Sequence, residues 1–230
     1  KFDSKNLYLS NISKIKFNEK IENEINSYGK NYCIIHVRNL GTIRDSKIDD
    51  YFLTVDYLNK IGFKVIRFCE NFSNINEKWK LNYYHEILLD NTTKKLQFKL
   101  ISNAKFMISN NSGPANIATI LKVPLLLVNA FPYNKIFNYN DKDMTLPKRI
   151  IRNNQQLDIE DILQNDFSHA GSEKFYNSQN YKIKNNTPEE ILRATKEMIL
   201  NLESNVKNFK YSKEDFKQYY DIGKGNLSNI

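Results

Sequence analysis

The chain has 230 residues, of which 40% are hydrophobic, and carries a formal net charge of +8. This length suits one large domain or a domain with an appendage, and the apolar fraction suffices for a packed core. No apolar run is long enough to span a bilayer, no signal peptide is recognisable, and the lysines are scattered without an arginine stripe or a basic-aromatic repeat. We therefore expect a cytoplasmic globular protein that recognises no specific nucleic acid.

The first half of the sequence alternates predicted helices and strands. An amphipathic pattern predicts a helix over 17–28 that ends at Gly29, and continuous apolar runs predict buried strands over 32–37 and 63–69. Further elements are a helix around 48–58 that ends at Gly62, a short strand over 87–89 and a helix around 96–101. The two cysteines lie in the apolar strands, without a Cys-x-x-Cys pattern, which indicates reduced core residues, Cys33 and Cys69.

Residues 105–128 are the most informative segment, since they predict a strand, a tight polar turn, a helix and a second strand. The turn ends in Ser112 and Gly113, and Pro114 stands at the first helical position, where a missing N–H costs nothing. Ser112 can cap the helix, and Gly113 lets a ligand approach the backbone. Because a helix start carries free N–H groups and partial positive charge, this turn is a candidate anion-binding site.

After Val128 the pattern weakens. Residues 131–145 read as a long aromatic-polar loop, typical of a lid or binding loop. Thr187, Pro188 and Glu190 form a strong helix start, for a helix running to about Leu202, and a last helix is predicted over 213–220. We expect a leading segment and helix over 1–30, a main domain over 31–205 and a helical tail over 206–230.

Strands and helices joined by short connections predict an α/β fold, with a parallel sheet covered by helices on both faces. Ligands bind such sheets at the carboxyl ends of the strands. That edge would carry Arg38 and Asn39, Glu70, residues 109–113 and residues 129–131.

Two arginines follow the first strand. The planar fork of Arg38 suits a diphosphate, although it could instead cap a loop, and His36, one step further into the sheet, reads as a hydrogen-bonded core residue. Arg44 is either a second cation of the same site or, with Asp45, a solvated charge pair at a helix start. Glu70 ends the second strand, where an acid can accept from ribose hydroxyls, or is an ordinary exposed acid.

Known catalytic motifs are missing from the sequence. Asp141 and Asp143 form an acid-x-acid pattern, but no strand is predicted before them, so we expect a solvated loop and no metal site. The sequence contains no G-x-G-x-x-G, no Walker lysine loop and no H-E-x-x-H, and Ser112 lies in no G-x-S-x-G elbow.

Residues 104–118, followed by Lys122-Val-Pro, resemble the C-terminal domain of heptosyltransferase-like GT-B glycosyltransferases. The chain also resembles bacterial glycosyltransferases of surface polysaccharides over about residues 18–200. The residues that carry this resemblance are His36-Val-Arg38, Arg44-Asp45, residues 64–67 and residues 186–191. A His-x-Arg strand end also occurs in GT-B fucosyltransferases, where the arginine binds the GDP diphosphate. The chain departs from the heptosyltransferase pattern at Asn111 and Asn116, which replace an acid and a histidine.

The resemblance implies a Rossmann-like, nucleotide-sugar-binding half of a GT-B fold, in a fragment that begins at Lys1. A missing N-terminal domain would hold the acceptor and usually the catalytic base, and the helix over 213–220 would cross back to it. The donor diphosphate would contact two short segments, namely Arg38, Asn39 and Arg44, and Ser112, Gly113 and Pro114. The nucleoside would contact Glu70, Asn110 and Asn111.

These features predict a metal-independent glycosyltransferase that uses a nucleotide sugar as substrate and needs no further cofactor. Arg38 and Arg44 would stabilise the leaving diphosphate. The acceptor would be a glycan or a lipid-linked sugar, so peripheral association with the inner face of the membrane is expected. The alternatives are a nucleotide-sugar hydrolase or epimerase of GT-B type, and a non-catalytic binding or scaffolding module.

Overall fold

A computed structural model describes residues 19–69, 85–88, 94–133, 138, 140–158, 161–162 and 173–204. In chain order, its elements are α1 (Glu19–Tyr28), β1 (Tyr32–His36), a 3₁₀ turn (Ile48–Tyr51), α2 (Phe52–Lys60), β2 (Lys64–Cys69), β3 (His85–Leu88), α3 (Lys94–Asn103), β4 (Met107–Ser109), α4 (Gly113–Ile120), β5 (Leu125–Ala130), β6 (Met144–Pro147), β7 (Arg149–Arg152), β8 (Gln155–Gln156), α5 (Glu173–Ser178), β9 (Tyr181–Lys184) and α6 (Pro188–Glu203).

Six strands form a parallel sheet in the order β3-β2-β1-β4-β5-β6. The apolar strands β1, β4 and β5 lie inside this sheet, and Ile34 of β1 pairs with Ile66 on one side and Met107 on the other. The chain builds outward from β1 to β3 and then returns to place β4 on the free side of β1. The predicted Rossmann-like sheet is therefore confirmed, and its strand order reverses between β1 and β4.

Helices cover both faces of the sheet, as predicted. On one face α1, α3 and α4 pack against the side chains of Ile34, Phe68 and Leu127. On the other face α2 and α6 pack against Ile35 and Ile108. Side chains of successive strand residues point to opposite faces, so a run of continuous apolar residues supplies both layers of core. The helix at Glu19–Tyr28 contributes Ile25 and Tyr28 to this core.

Local signals placed several helix ends correctly. Gly29 and Gly62 take φ angles of 72° and 85°, which are easy only for glycine, where α1 and α2 end. The Thr187 hydroxyl accepts from the N–H of Glu190, whose carboxylate accepts from the N–H of Thr187, so the predicted capping box of α6 is confirmed. Cys33 and Cys69 are buried free thiols.

The region after β5 differs from the prediction. Met144 and Thr145, assigned to the long loop, begin β6, and β7 pairs with β8 and β9 in a separate antiparallel sheet that was not predicted. A third core lies in this region, formed by Phe131, Ile150, Ile162, Tyr176 and Tyr181. The predicted helix over 213–220 and the tail over 206–230 lie outside the described residues.

In the part of the chain that the structure describes, no helix combines the length and apolarity needed to cross a membrane.

Candidate functional site

The candidate site lies where the strand order reverses. Arg38 stands two residues after β1, and Asn110 follows β4 directly. The N–H of Arg38 donates to Oδ1 of Asn110 over 2.9 Å. The structure thus brings together two segments that the sequence assigned to one edge, at the place where doubly wound sheets bind their ligands.

Asn110 ties this edge together from the inside. Its side chain is fully buried, and Nδ2 lies 2.9 Å from Ser46 Oγ, 3.2 Å from the Tyr51 hydroxyl and 2.9 Å from the carbonyl oxygen of Val128. The amide therefore links four parts of the chain, which makes Asn110 a positioning residue. Its predicted contact with a nucleoside remains a prediction.

Residues 38–46 form a compact loop, here called the arginine loop, around the carboxylate of Asp45. Oδ2 accepts from the N–H groups of Leu40 (2.7 Å) and Thr42 (2.8 Å), and Oδ1 accepts from the Thr42 hydroxyl (3.1 Å). Burial alone would raise the pKa of Asp45, but these bonds hold it below its ordinary value. Asp45 therefore organises the loop as an anion and is not the solvated helix-start charge that the sequence left open.

Arg38 pairs with this carboxylate, and Arg44 adds a second positive charge to the loop. Nε of Arg38 lies 3.2 Å from Asp45 Oδ1, and the Arg38 side chain is 15% exposed. Burial and the neighbouring charge of Arg38 lower the pKa of Arg44, whereas the charge of Asp45 opposes this effect. Within the described residues, no group hydrogen-bonds to the terminal nitrogens of Arg38. The loop therefore carries one excess positive charge, and no residue in the described part of the chain occupies the guanidinium fork of Arg38.

The start of α4 provides a second anion-attracting group at this edge. Ser112 is its N-cap, with an Oγ that accepts from the N–H of Ala115 (3.4 Å) and lies 3.1 Å from Ser109 Oγ. A Cβ on Gly113 would meet no described atom within 4 Å, and the Gly113 φ is not positive. Neither conformation nor packing requires a glycine there, so the helix start is open to a close ligand.

The other predicted residues lie as follows. Asn111 Oδ1 accepts from the N–H of Phe131 (2.9 Å), which joins the turn to the end of β5. Asn39 is exposed on the arginine loop, and Pro114 lies in the first turn of α4. Glu70 lies outside the described residues.

His36 is a core residue, as predicted. Its ring is buried, with Nδ1 3.3 Å from the carbonyl oxygen of Phe68. Burial, together with the charges of Arg38 and Arg67, lowers the pKa of His36 to about 4. The ring is therefore neutral near pH 7.

The prediction of a solvated loop at Asp141 and Asp143 is wrong for Asp143, whereas Asp141 is exposed. Asp143 is only 4% exposed, and its carboxylate accepts from the N–H groups of Leu125 and Asn140, both at 3.0 Å. It anchors the start of β5, because a buried N–H needs an acceptor. Among the described residues, no three His, Cys, Asp or Glu side chains gather as a metal site.

Sequence reasoning missed Lys148, which lies between β6 and β7. This lysine is 4% exposed, and Nζ donates to the carbonyl oxygen of Asp45 and to Oδ1 of Asn185, each over 2.6 Å. Burial lowers the pKa of Lys148 to about 8, although the carboxylates of Asp45, Asp50 and Glu173 oppose this effect. No local pattern distinguishes this lysine from the many others in the sequence.

No family model and no curated protein matches the chain. The solved structures that match its fold include two glycosyltransferases. E. coli ADP-heptose LPS heptosyltransferase II is 14% identical, with a TM-score of 0.51 over 83% of this chain and 54% of its own. The glycosyl transferase family 9 protein of Veillonella parvula DSM 2008 is also 14% identical, with a TM-score of 0.54 over 81% of this chain and 53% of its own.

The chain thus spans about half the length of the solved structures it matches. At this level of identity the likeness concerns the fold. The resemblance inferred from the sequence is confirmed at that level: the chain has the α/β Rossmann-like fold of heptosyltransferase-like GT-B glycosyltransferases.

Proposed function

We propose that this chain is the donor-binding part of a glycosyltransferase that transfers a sugar from a nucleoside diphosphate donor. The observation that carries the proposal is the arginine loop at the reversal of strand order, where Arg38 pairs with Asp45 and Arg44 adds a second positive charge. A site with excess positive charge and the guanidinium fork of Arg38 fits a diphosphate.

The chemistry follows from where charge develops. When the bond from the sugar to the donor diphosphate breaks, negative charge grows on the departing phosphate oxygens. Fixed cations and helix-start N–H groups stabilise that charge without having to reorient. Arg38, Arg44 and the start of α4 at Ser112–Pro114 would supply this stabilisation, so the proposal needs no metal ion.

The described edge offers no evident general base. Asn111 is an amide, His36 is buried and neutral, and Asp45 is occupied by loop N–H groups. In this proposal the proton-accepting group and the acceptor site therefore belong to a second α/β half, as in GT-B enzymes. The acceptor would be a glycan or lipid-linked sugar at the cytoplasmic face of the membrane.

The similarity of the fold to two glycosyltransferase structures supports the proposed class of sugar donor. One matched structure is named as an ADP-heptose heptosyltransferase and the other as a glycosyl transferase of family 9. Both names indicate sugar transfer, and the first indicates a nucleoside diphosphate donor. We extend this class, and not its particular base or sugar, to the present chain.

Calorimetric titration of the chain with UDP, GDP, ADP and CMP tests the donor proposal. We expect one of the nucleoside diphosphates to bind, with an affinity that falls at high salt because charge carries the contact. Absence of binding to all four, both by this chain and by a longer protein that includes a second α/β half, would contradict the proposal.

A product assay separates transfer from hydrolysis or epimerisation. The longer protein is incubated with the nucleotide sugar whose nucleotide binds, with and without a glycan acceptor, and the sugar products are separated. A glycosylated product that forms only with acceptor supports transfer. Free sugar or an isomerised donor without acceptor would indicate the hydrolase or epimerase instead.

A further inference from the structure

We propose that Lys148 is a positioning residue that holds the arginine loop in its diphosphate-binding geometry. The inference rests on the proposed function, since it concerns how that site is maintained. Lys148 itself is not placed in contact with a ligand.

The main chain of Lys148 is firmly anchored. Its N–H donates to the carbonyl oxygen of Ala130 over 3.1 Å, and its own carbonyl oxygen accepts from the Tyr133 hydroxyl over 2.5 Å. These contacts attach it to the end of β5 and to the segment beyond. The lysine side chain therefore starts from a fixed point of the central sheet.

From this point the ammonium group joins two other segments. It donates to the carbonyl oxygen of Asp45 at the end of the arginine loop and to Oδ1 of Asn185 just before α6. The next residue of the loop, Ser46, is held by Asn110 and by its own N–H bond to the carbonyl oxygen of Arg38 (3.1 Å). The C-terminal end of the loop is thus fixed from two sides.

The position of Asp45 determines the position of the arginines. Its carboxylate fixes the N–H groups of Leu40 and Thr42 and lies 3.2 Å from Nε of Arg38. A shift of the Asp45 main chain would therefore move all the groups that contact its carboxylate. Lys148 acts on the arginine loop through Asp45.

Burying a lysine at this position carries a desolvation penalty. Removing an ammonium group from water disfavours its charged form, which is why burial lowers the pKa of Lys148. The nearby acids are Asp45 on the arginine loop, Asp50 on the 3₁₀ turn and Glu173 on α5. A methionine would fill a similar volume without this cost, but it could not donate to Asp45 and Asn185.

The first test measures nucleotide affinity in Lys148→Met, with Lys182→Met as the matched control on an exposed lysine of β9. The probes are UDP, GDP and ADP, of which the one that binds the wild type is used. We expect Lys148→Met to bind it about tenfold more weakly, and Lys182→Met to bind it as the wild type does. Equal affinity of Lys148→Met and the wild type would overturn the inference.

A pH series adds a readout that a merely structural role would not move. Between pH 7 and pH 9.5 the wild type should lose nucleotide affinity, because its two charge-assisted hydrogen bonds become neutral ones. Lys148→Met should show no such loss of affinity over that range. Lys148→Arg stays charged, so its nucleotide affinity should also stay constant over the same pH range. A wild-type loss that persists in Lys148→Met would contradict the inference.

Hydrogen exchange tests the same inference independently of any nucleotide. The N–H groups of Leu40 and Thr42 donate to Asp45, so they should exchange faster in Lys148→Met and, to a lesser extent, in Asn185→Ala. Unchanged exchange at both amides would overturn the positioning role. If the wild type binds no nucleotide while these amides respond as expected, the donor proposal fails and the positioning role stands. Asn185→Ala provides this readout if Lys148→Met does not fold.

Discussion

At the scale of single residues, one carboxylate organises the candidate site. Asp45 accepts three hydrogen bonds from its own loop and also neutralises one of two arginines. Such bonds stabilise the charged form, and the pKa of Asp45 is correspondingly below its ordinary value despite burial. The residue therefore contributes stability above the pH at which an unfolded aspartate ionises, and this is lost as the pH falls through its folded pKa.

Replacing this carboxylate should have a measurable cost. In Asp45→Asn the amide cannot accept at both atoms, so we expect the free energy of unfolding to fall by about 1–3 kcal/mol at pH 7, as measured in urea. The difference from the wild type should shrink in acid, where Asp45 itself is protonated. Asp56→Asn removes an exposed carboxylate that pairs with Lys60 on α2, and it should cost about 0.5 kcal/mol or less. Similar costs for the two variants would contradict this role of Asp45.

Lys148 should also make stability rise with pH, but in the alkaline range. The pKa of Lys148 is about 8 in the folded chain, below the ordinary value of 10.5 that applies in the unfolded chain. Between these two pH values the unfolded chain therefore binds more protons than the folded chain. Stability should therefore rise over this interval, by up to about 3 kcal/mol. Urea unfolding of the wild type and Lys148→Met at several pH values isolates the effect as a difference. A difference that stays constant between pH 8 and 10.5 would show that burial does not penalise the charge.

Predictability at this scale depends on how far apart the partners lie in the sequence. The core role of His36 followed from its place one step inside a strand. Lys148 contacts Asp45, 103 residues away, and Asn110 contacts Ser46, 64 residues away. Such contacts depend on the completed fold, so no local pattern could reveal them.

At the scale of elements, α4 and α6 were predictable because their signals are short-ranged. Ser112 and Thr187 each accept from an N–H three residues further on, which makes the cap readable from the sequence. Two strands after β5, namely β6 at the edge of the parallel sheet and β8 in the antiparallel sheet, gave no such signal. In β6 all four residues are half-buried and the last is a proline, while β8 consists of two exposed glutamines. The apolar-polar alternation of β6 stops at Pro147, and β8 has no apolar residue, so neither shows the sustained alternation that marks a strand.

Gly113→Ala separates the ligand role of the α4 start from its structural role. The added methyl group meets no described atom, and alanine favours the helix, so stability should stay the same or rise by up to about 1 kcal/mol. Nucleotide affinity should nevertheless fall severalfold, since the methyl group occupies the ligand's approach. Thermal unfolding and calorimetric titration of one preparation give both values. Unchanged affinity would remove the start of α4 from the proposed site.

At the scale of the whole molecule, the order of the strands creates the site. Alternating apolar and amphipathic segments were enough to predict a parallel sheet covered on both faces. The reversal between β1 and β4 places Arg38 beside Asn110, residues that lie 72 positions apart. The general rule that ligands bind at this edge led to Arg38 and Asn110, whereas the bond between Lys148 and Asp45 depends on the completed fold.

At the same scale, the proposed donor site and the proposed acceptor site belong to different halves of a GT-B fold. The chain covers about half of each matched structure, and its described edge supplies cations and helix-start N–H groups. Such groups bind and stabilise a diphosphate. Proton transfer from an acceptor calls for a different kind of residue, which the proposal assigns to the other half.

The most direct test of the central claim compares a nucleoside diphosphate with its monophosphate. Calorimetry is carried out on the wild type, on Arg38→Ala/Arg44→Ala and on Arg193→Ala, which removes an exposed arginine of α6. The ligands are the nucleoside diphosphate that binds best, among UDP, GDP and ADP, and the corresponding monophosphate.

We expect the wild type and Arg193→Ala to prefer the diphosphate, and the double variant to lose at least about tenfold in diphosphate affinity with a smaller loss for the monophosphate. The preference should therefore shrink or disappear only when the two arginines of the loop are removed. A double variant that keeps the wild-type preference would contradict the claim that the arginine loop binds the donor diphosphate.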